Sequence, residues 1–225
     1  NVQWFGGWGL NFTGGRAQAS TATSAKLRNL LTGTGEYSIE AWVAPGNVVQ
    51  EDTRIVSYSA GTTQRNFNLG QTMYNYDFFN RTNNSDANGN PQLSTPAAAE
   101  VLQATLQHVV ATFDPVEGRK IYVNGVLVAD QDTSPGGSLA DWDDSYAFML
   151  GNEISGNGEG TWMGVIRLVA IHSRVLTPAQ ILQNFEAGVG EKFFLLFSVE
   201  HLPNVPQSSV VFEAEPVEKD VMKRP

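Results

Sequence analysis

Short segments in which apolar and polar residues alternate recur along most of the chain, and several of them end at Gly or Pro. Alternation with a period of two places every second side chain on one face, which is typical of a strand with one buried face. The segments that we predict as strands are 37–43, 54–58, 66–70, 108–114, 147–151 and 164–172. The pattern therefore predicts an all-β protein built from many short strands.

The strongest local signal is an Asn124-Gly125 pair between two apolar runs, over 120–128. Both central residues of a type I′ turn need positive φ, and Asn-Gly adopts this conformation at low cost. We therefore predict a β-hairpin at this point.

One segment near the C-terminus carries the signals of a helix. Thr177 can cap its first turn, Pro178 suits the first helical position, and Gly188 follows its last turn. We predict a single short helix there, which would lie against the strands with its apolar face.

The length of 225 residues and an apolar content of 41% suit one all-β domain with a sizeable core. We expect this domain over 1–197, with a last strand at 191–197, and a linker or the start of a following domain over 198–225. The chain begins at Asn1 with neither Met nor a signal peptide, so we expect it to be a piece of a larger protein with flanking domains.

The formal net charge of −9 makes nucleic acid and anionic membranes unfavourable partners. No apolar run approaches the roughly 18 residues of a membrane span, so we expect no membrane insertion. The absence of cysteine excludes disulfides and thiolate metal sites. Acidic loops could instead collect Ca²⁺.

Several short motifs follow one another in a characteristic order: GLNFTGG at 9–15, YSIEAWV at 37–43, HVVATFD at 108–114, IYVNG at 121–125, LGN at 150–152, WMGVI at 162–166 and VAIHSRVLT at 169–177. Each motif is weak alone, but the ordered set resembles the bacterial laminin-G-like, pentraxin-related family of concanavalin A-like jelly rolls. The resemblance covers residues 9–190.

This resemblance implies a two-sheet antiparallel jelly-roll sandwich with one short helix near the C-terminus. It implies ligand sites in rim loops or on one sheet, often with Ca²⁺, in non-catalytic modules of secreted or surface proteins. An extracellular, periplasmic or cell-surface location follows from it. The family often has Asp where this chain has Thr13 and Arg167, so a calcium site built on those acids is not carried over.

Two acidic turns are candidate calcium sites, because Ca²⁺ prefers several oxygen ligands that converge from loops. The first contains Asp141, Asp143 and Asp144, and the second contains Asp86 and Asn88. The second has the D-x-N-x-N opening of an EF-hand loop but lacks its later Gly and Glu. The alternatives are a solvated acidic turn and a flexible Asn/Gly loop.

A glycan or a surface protein is the expected ligand, bound by aromatic faces beside polar groups. The candidates are Tyr74, Tyr76, Asp77 and Trp142. Tyr74, Tyr76 and Phe78 would share one strand face, although aromatics with this spacing often fill a core. A glycan binder should expose an aromatic platform, whereas a structural spacer or protein-interaction domain should bury every Trp and Tyr.

Catalysis is not expected. A retaining glycosidase needs two carboxylates about 5 Å apart. The nearest strand acids are Glu36, at the start of the strand, and Glu40, and they lack the intervening Asp of jelly-roll glycosidases. His108 is expected to be structural. The leading hypothesis is a non-catalytic recognition module, with a spacer as the alternative and a polysaccharide-acting enzyme as the third option.

Overall fold

The computed structural model describes residues 1–6, 9–133, 136–154 and 158–189. The predicted strand at 191–197 and the segment 198–225 lie outside these residues, as does the boundary at 197. The strands of the described part are β1 Val2–Trp4, β2 Leu10–Thr13, β3 Ala17–Gln18, β4 Tyr37–Pro45, β5 Thr53–Gly61, β6 Gln64–Thr72, β7 Asn75–Asn80, β8 Leu93–Ser94, β9 Gln107–Asp114, β10 Gly118–Val123, β11 Val126–Ala129, β12 Ala147–Leu150 and β13 Met163–His172.

These strands form two antiparallel sheets. The seven-stranded sheet has the order β1-β2-β13-β4-β9-β10-β11, and the six-stranded sheet has the order β3-β12-β5-β6-β7-β8. Chain neighbours are often not sheet neighbours: β13, for example, lies between β2 and β4. This arrangement confirms the predicted all-β sandwich.

Alternate residues of both sheets meet in one core. Tyr37 of β4 is fully buried and lies 5.7 Å from Phe67 of β6 and 5.9 Å from Phe113 of β9, measured between ring centroids. Burying a side chain of this size contributes roughly 1.5–3 kcal/mol. Trp142 also enters this cluster, at 5.3 Å from Tyr37.

The predicted hairpin and the predicted helix are both confirmed. Asn124 and Gly125 have φ of 50° and 80° between β10 and β11. The helix α2 spans Pro178–Ala187, with Thr177 and Gln180 forming a capping box.

A second helix, α1 at Thr21–Thr34, corrects the prediction of one helix in the chain. Ser20 caps it by accepting a hydrogen bond from the Thr23 N–H, and Gly35 ends it with φ of 77°. Only Leu31 and Ser24 of this helix are buried. Many of its residues are Ser, Thr or Gly, so its apolar residues are too few to repeat with the period of a helix. The cap at Ser20 is therefore the only sequence signal for this helix.

Candidate functional site

The six-stranded sheet has one face in the core and one face turned away from it. Phe67 and Leu69 of β6 and Phe78 of β7 belong to the core cluster. Side chains alternate along a strand, so Asn68 of β6 and Phe79 of β7 point to the opposite face. These two residues are direct register partners, and they mark the outer face of this sheet.

A cavity of about 560 Å³ includes Phe79 in its lining. We call it the arginine pocket. The residues that line it are Glu51, Asp52, Arg54, Thr62, Arg65, Phe79, Asn88, Asn90, Gln92, Glu153, Glu159 and Gly160. They come from β5, β6 and β7 and from the loops around them, so residues far apart in the sequence meet at one place.

A buried ion-pair cluster forms the centre of the arginine pocket. Glu153 is fully buried and accepts hydrogen bonds from Arg65 at 2.7 and 2.9 Å and from Arg54 Nε at 3.0 Å. Arg54 Nη1 also donates to Asp52 Oδ1 at 2.6 Å. Removing one partner of such a cluster would leave a buried charge uncompensated, so each member of the cluster depends on the others.

The two guanidinium groups also lie over the ring of Phe79. Arg54 Cζ is 5.7 Å and Arg65 Cζ is 5.1 Å from the ring centroid, within cation–π range. Phe79 therefore supports the arginines, and its ring is not a free stacking platform for a sugar.

Two amide side chains near the pocket have buried atoms without a hydrogen-bond partner. Asn88 lines the pocket, and its Oδ1 has none. Asn68 is fully buried beside Phe79, and neither its Oδ1 nor its Nδ2 has a partner. Buried polar groups in folded proteins are nearly always paired, so each of these amides is a place where a water or a ligand hydroxyl would be stabilised.

The three predicted ligand residues of 74–77 do not form a common surface. Tyr76 is fully buried in the core, and its hydroxyl donates to Gln107 Oε1 at 2.8 Å. Tyr74 lies in the turn before β7, where 39% of it is exposed. Asp77 points to the outer face but is buried and accepts a hydrogen bond from Ser94 Oγ. Burial raises the pKa of Asp77, and the Ser94 hydrogen bond opposes this effect.

Trp142 is also in the core, where its Nε1 donates to the Arg81 carbonyl at 2.7 Å. Neither Trp142 nor Tyr76 therefore offers a ring face to a ligand. The reason is the same for both residues. Their apolar rings fill the space between the sheets, and the Tyr76 hydroxyl and the Trp142 Nε1–H each donate a hydrogen bond inside the protein.

The acidic turn at Asp141, Asp143 and Asp144 is held by its own hydrogen bonds. Asp143 Oδ1 accepts from Ser145 Oγ at 2.6 Å and from Ser145 N at 2.8 Å, and these two bonds lower the pKa of Asp143. Asp141 and Asp144 are exposed. The backbone of Asp143 is fixed to the Asn66 amide in both directions, so this turn is anchored to the start of β6.

The second candidate turn is closed by Asp86 in a similar way. Its carboxylate accepts from the Asn88 and Asn90 N–H groups at 2.9 and 2.8 Å and from Asn90 Nδ2 at 3.1 Å. Burial alone would raise the pKa of Asp86, but these bonds lower it overall. This turn is therefore a preformed loop that presents Asn88 and Asn90 to the arginine pocket.

Among residues 1–6, 9–133, 136–154 and 158–189, no three His, Cys, Asp or Glu side chains come together as they would in a metal site. In the two acidic turns, the Asp86 and Asp143 carboxylates accept hydrogen bonds from groups of their own turns. Within the same residues, no helix is both long enough and apolar enough to cross a membrane.

A second buried charge cluster lies on the outer face of the seven-stranded sheet, beneath α2. Glu40 accepts from His108 Nε2 and His172 Nε2, each at 2.8 Å, and from Asn184 Nδ2 at 3.1 Å. Burial alone would raise the pKa of Glu40, but the two histidines lower it to about 2. His172 and Asn184 also line a cavity of about 330 Å³. Glu40 thus holds α2 to the sheet.

Neither charge cluster was predicted from the sequence. Their members are distant along the chain, and only the pairing of strands brings them together. The sequence signal for these clusters was weak. It consists of charged residues, among them Glu40 and Arg54, inside strands whose other residues are mostly buried.

Structures of known proteins resemble this fold. A sialidase of Trypanosoma rangeli in complex with 2,3-difluoro-KDN superposes with a TM-score of 0.60 at 16% sequence identity, over 85% of this chain and 29% of the sialidase chain. The binding domain of botulinum neurotoxin DC, in complex with rat synaptotagmin II, gives 0.57 at 15% identity, over 85% of this chain and 46% of the toxin chain. The chain thus spans less than half the length of either protein, and at this identity the likeness concerns the fold.

A sequence search of curated proteins found no match. A family model described as the concanavalin A-like lectin/glucanases superfamily, of the laminin-G type, matches residues 14–182. This range is most of the chain and includes every strand that contributes to the arginine pocket. The chain belongs to the laminin-G-like branch of the concanavalin A-like lectin/glucanase superfamily.

Proposed function

We propose that this domain is a non-catalytic carbohydrate-binding module whose site is the arginine pocket. The observation that carries the proposal is Asn88, which lines the pocket and whose buried Oδ1 lacks a hydrogen-bond partner. Sugar hydroxyls both donate and accept hydrogen bonds, so they can satisfy amide groups of either kind. Asn90 and Gln92 supply further amides on the rim of the same cavity.

The chemistry of the pocket supports binding rather than hydrolysis. A glycosidase needs one carboxylic acid that gives a proton and one carboxylate that attacks or activates water. Glu153 is held by two arginines at both of its oxygens, and Asp52 is bonded by Arg54. Each of these carboxylates is engaged by an arginine, and Glu153 is also fully buried, so it does not reach a bound sugar directly.

The proposal includes the setting in which the domain works. As a laminin-G-like module, it would be one part of a larger exported protein and would act outside the cell or at its surface. The two solved structures named above are likewise matched over only part of their chains. These features support a module within a larger protein, and the flanking domains are inferred from the family resemblance.

Binding to a glycan array tests the proposal, with Gln92→Ala and Asn88→Ala as the informative variants. Each substitution removes an amide from the pocket without touching the core, and the loss of one or two hydrogen bonds of about 1 kcal/mol weakens binding roughly tenfold. Gln103→Ala is the matched control, because Gln103 is exposed outside the pocket. Absence of binding to every printed glycan, or equal binding by all three variants, would contradict the proposed site.

A protein-interaction surface is the second candidate function. Trp4 is 78% exposed and Phe5 is 44% exposed at the edge strand β1, and the Arg167 guanidinium lies 5.9 Å from the Phe5 ring centroid. Exposed Trp and Arg are enriched at protein interfaces. Trp4→Ala would leave glycan binding at the pocket unchanged and would weaken binding to a protein partner. A pull-down that compares the amount of partner retained by the variant and by the wild-type domain measures this difference.

A further inference from the structure

The cavity of about 330 Å³ beside α2 shares no lining residue with the arginine pocket. We call it the α2 pocket. Three amide side chains of α2 line it, those of Gln180, Gln183 and Asn184, and His172 and Arg174 line it from the end of β13 and the residues that follow. Cavities that hold small ligands begin at about 300 Å³, so the α2 pocket has the size of a site for a small polar molecule.

Several polar groups of the α2 pocket have hydrogen-bonding capacity that the protein does not use. Arg174 is exposed, and its guanidinium bonds no other residue of the part of the chain that the structure describes. The same holds for the exposed amide of Gln183. Gln180 accepts from the Thr177 N–H with Oε1 at 3.0 Å, which leaves its Nε2 as a donor. The pocket therefore offers a guanidinium and two amides to a ligand.

Glu40, beneath the α2 pocket, fixes two of the lining side chains. His172 Nε2 and Asn184 Nδ2 both lie at hydrogen-bond distance from Glu40 Oε2, at 2.8 and 3.1 Å. Because Glu40 is ionised, its oxygen accepts and both nitrogens donate. His172 Nδ1 and Asn184 Oδ1 have no partner among the described residues and remain as acceptors. Side chains that are already held in place lose little conformational freedom when a ligand binds.

The charge of the α2 pocket is opposite in sign to that of the whole chain. Among its described lining residues there is no carboxylate, and Arg174 supplies a positive charge, whereas the chain carries −9. Glu40 is only 5% exposed and its oxygens already accept three hydrogen bonds. Glu36 and Glu186 lie outside the lining. A ligand carboxylate would therefore meet an unpaired guanidinium, which can offer it two parallel N–H groups.

We propose that the α2 pocket is a second binding site, and that it takes a uronate, a sugar residue that carries a carboxylate. The carboxylate would bond Arg174, and the sugar hydroxyls would bond the amides of Gln180 and Gln183 and the free Oδ1 of Asn184. Amides suit hydroxyls because both groups donate and accept hydrogen bonds. This inference goes beyond the proposed function, since it concerns a different cavity and does not depend on the arginine pocket.

Isothermal titration calorimetry of the 225-residue chain tests the ligand class. The probes are glucuronate and galacturonate, their neutral counterparts glucose and galactose, and acetate. At least one uronate should bind at least about tenfold more tightly than its neutral counterpart and than acetate, because each of these lacks one part of the contacts. High salt should weaken uronate binding, because it screens the guanidinium. No uronate binding at millimolar concentration, or equal binding of the neutral sugar or acetate, would overturn the inference.

Two variants test whether the uronate binds in the α2 pocket. Arg174→Gln should weaken uronate binding at least about tenfold, because it removes charge-assisted hydrogen bonds, and Gln183→Ala should weaken it by roughly threefold to tenfold. Lys26→Gln is the matched control, since it removes one positive charge from an exposed position of α1 outside the pocket. It should bind the uronate as the wild type does, and an unchanged melting temperature of each variant shows that the fold is intact.

Asn88→Ala distinguishes the two cavities. It should leave uronate binding unchanged, because Asn88 lines the arginine pocket and not the α2 pocket. Loss of uronate binding in Asn88→Ala but not in Arg174→Gln would place the uronate in the arginine pocket. That result would overturn this inference and leave the proposed function standing, and equal binding by Arg174→Gln and the wild type would overturn it as well.

Discussion

At the residue scale, Gly151 occupies a position where only glycine fits, because there is no room for a Cβ atom. It follows β12 with φ of 77°, and a Cβ built on it would lie 2.2 Å from Phe12 Cδ1 in the core. Both the left-handed backbone and the close approach of the Phe12 ring therefore require glycine. We predict that Gly151→Ala lowers the free energy of unfolding by more than about 2 kcal/mol, measured by urea denaturation.

Gly33 provides the matched control for this prediction. It lies inside α1, and a Cβ there would have no neighbour within 4 Å. Gly33→Ala should therefore stabilise the protein by roughly 0.5–1 kcal/mol, because alanine favours the helix. Equal effects of the two substitutions would contradict the structural account of Gly151.

At the element scale, the attachment of α2 depends on an ionised Glu40. Its pKa of about 2 lies below the ordinary value of 4.5, so the stabilisation is complete above about pH 4.5 and is lost as the pH falls through about 2. A shift of this size corresponds to roughly 3 kcal/mol. Glu40→Gln should therefore give a stability profile that falls less steeply between pH 4.5 and 2 than that of the wild type.

Urea denaturation at a series of pH values measures this difference. Asp86 and Asp143 also have lowered pKa values, so the wild-type profile contains their contributions as well. Glu36→Gln is a suitable control, because Glu36 lies just before β4 and outside the cluster. Parallel profiles for the wild type and Glu40→Gln would show that Glu40 does not hold α2.

The elements could be predicted from the sequence where one local pattern decides the structure. Asn124-Gly125 fixes its hairpin through φ alone, and Thr177 with Gln180 fixes the start of α2. The helix α1 could not be predicted, since its contact with the core depends mainly on one residue, Leu31.

The candidate site was predictable only in part for a related reason. The sequence indicates the Asp86 turn, but Glu153 is 88 residues from Arg65 and 99 from Arg54, so only sheet pairing can reveal their contact. The register of β7 with β6 likewise decides whether Tyr76 or Asp77 faces the core. An alternating sequence pattern does not determine that register by itself.

At the scale of the whole molecule, the effect of Ca²⁺ on the stability of the domain can be measured through its melting temperature. The Asp86 and Asp143 carboxylates accept hydrogen bonds from their own turns, so a bound ion would have to compete with these bonds. We predict that the melting temperature in millimolar Ca²⁺ differs from that in EDTA by no more than about 1 °C. A ligand present at one hundred times its Kd would add about 2.7 kcal/mol and raise the melting temperature by several degrees.

A rise of that size would establish a calcium site in the domain. Asp86→Ala and Asp143→Ala would then show which turn holds the ion. The same melts with a hexasaccharide in place of calcium measure ligand binding through the stability of the native state.

The rim of the arginine pocket comes from separate loops, around 51–52, 88–92 and 159–160, while its base is fixed to the sheet. Changes at the rim therefore leave the packing between the sheets untouched. Under the proposed function, few substitutions at the rim would change the specificity of the pocket, and a chain that kept the Arg54, Arg65 and Glu153 base would then recognise different sugars. For the protein engineer, the same separation makes Asn88, Asn90 and Gln92 natural positions for a library of new binders.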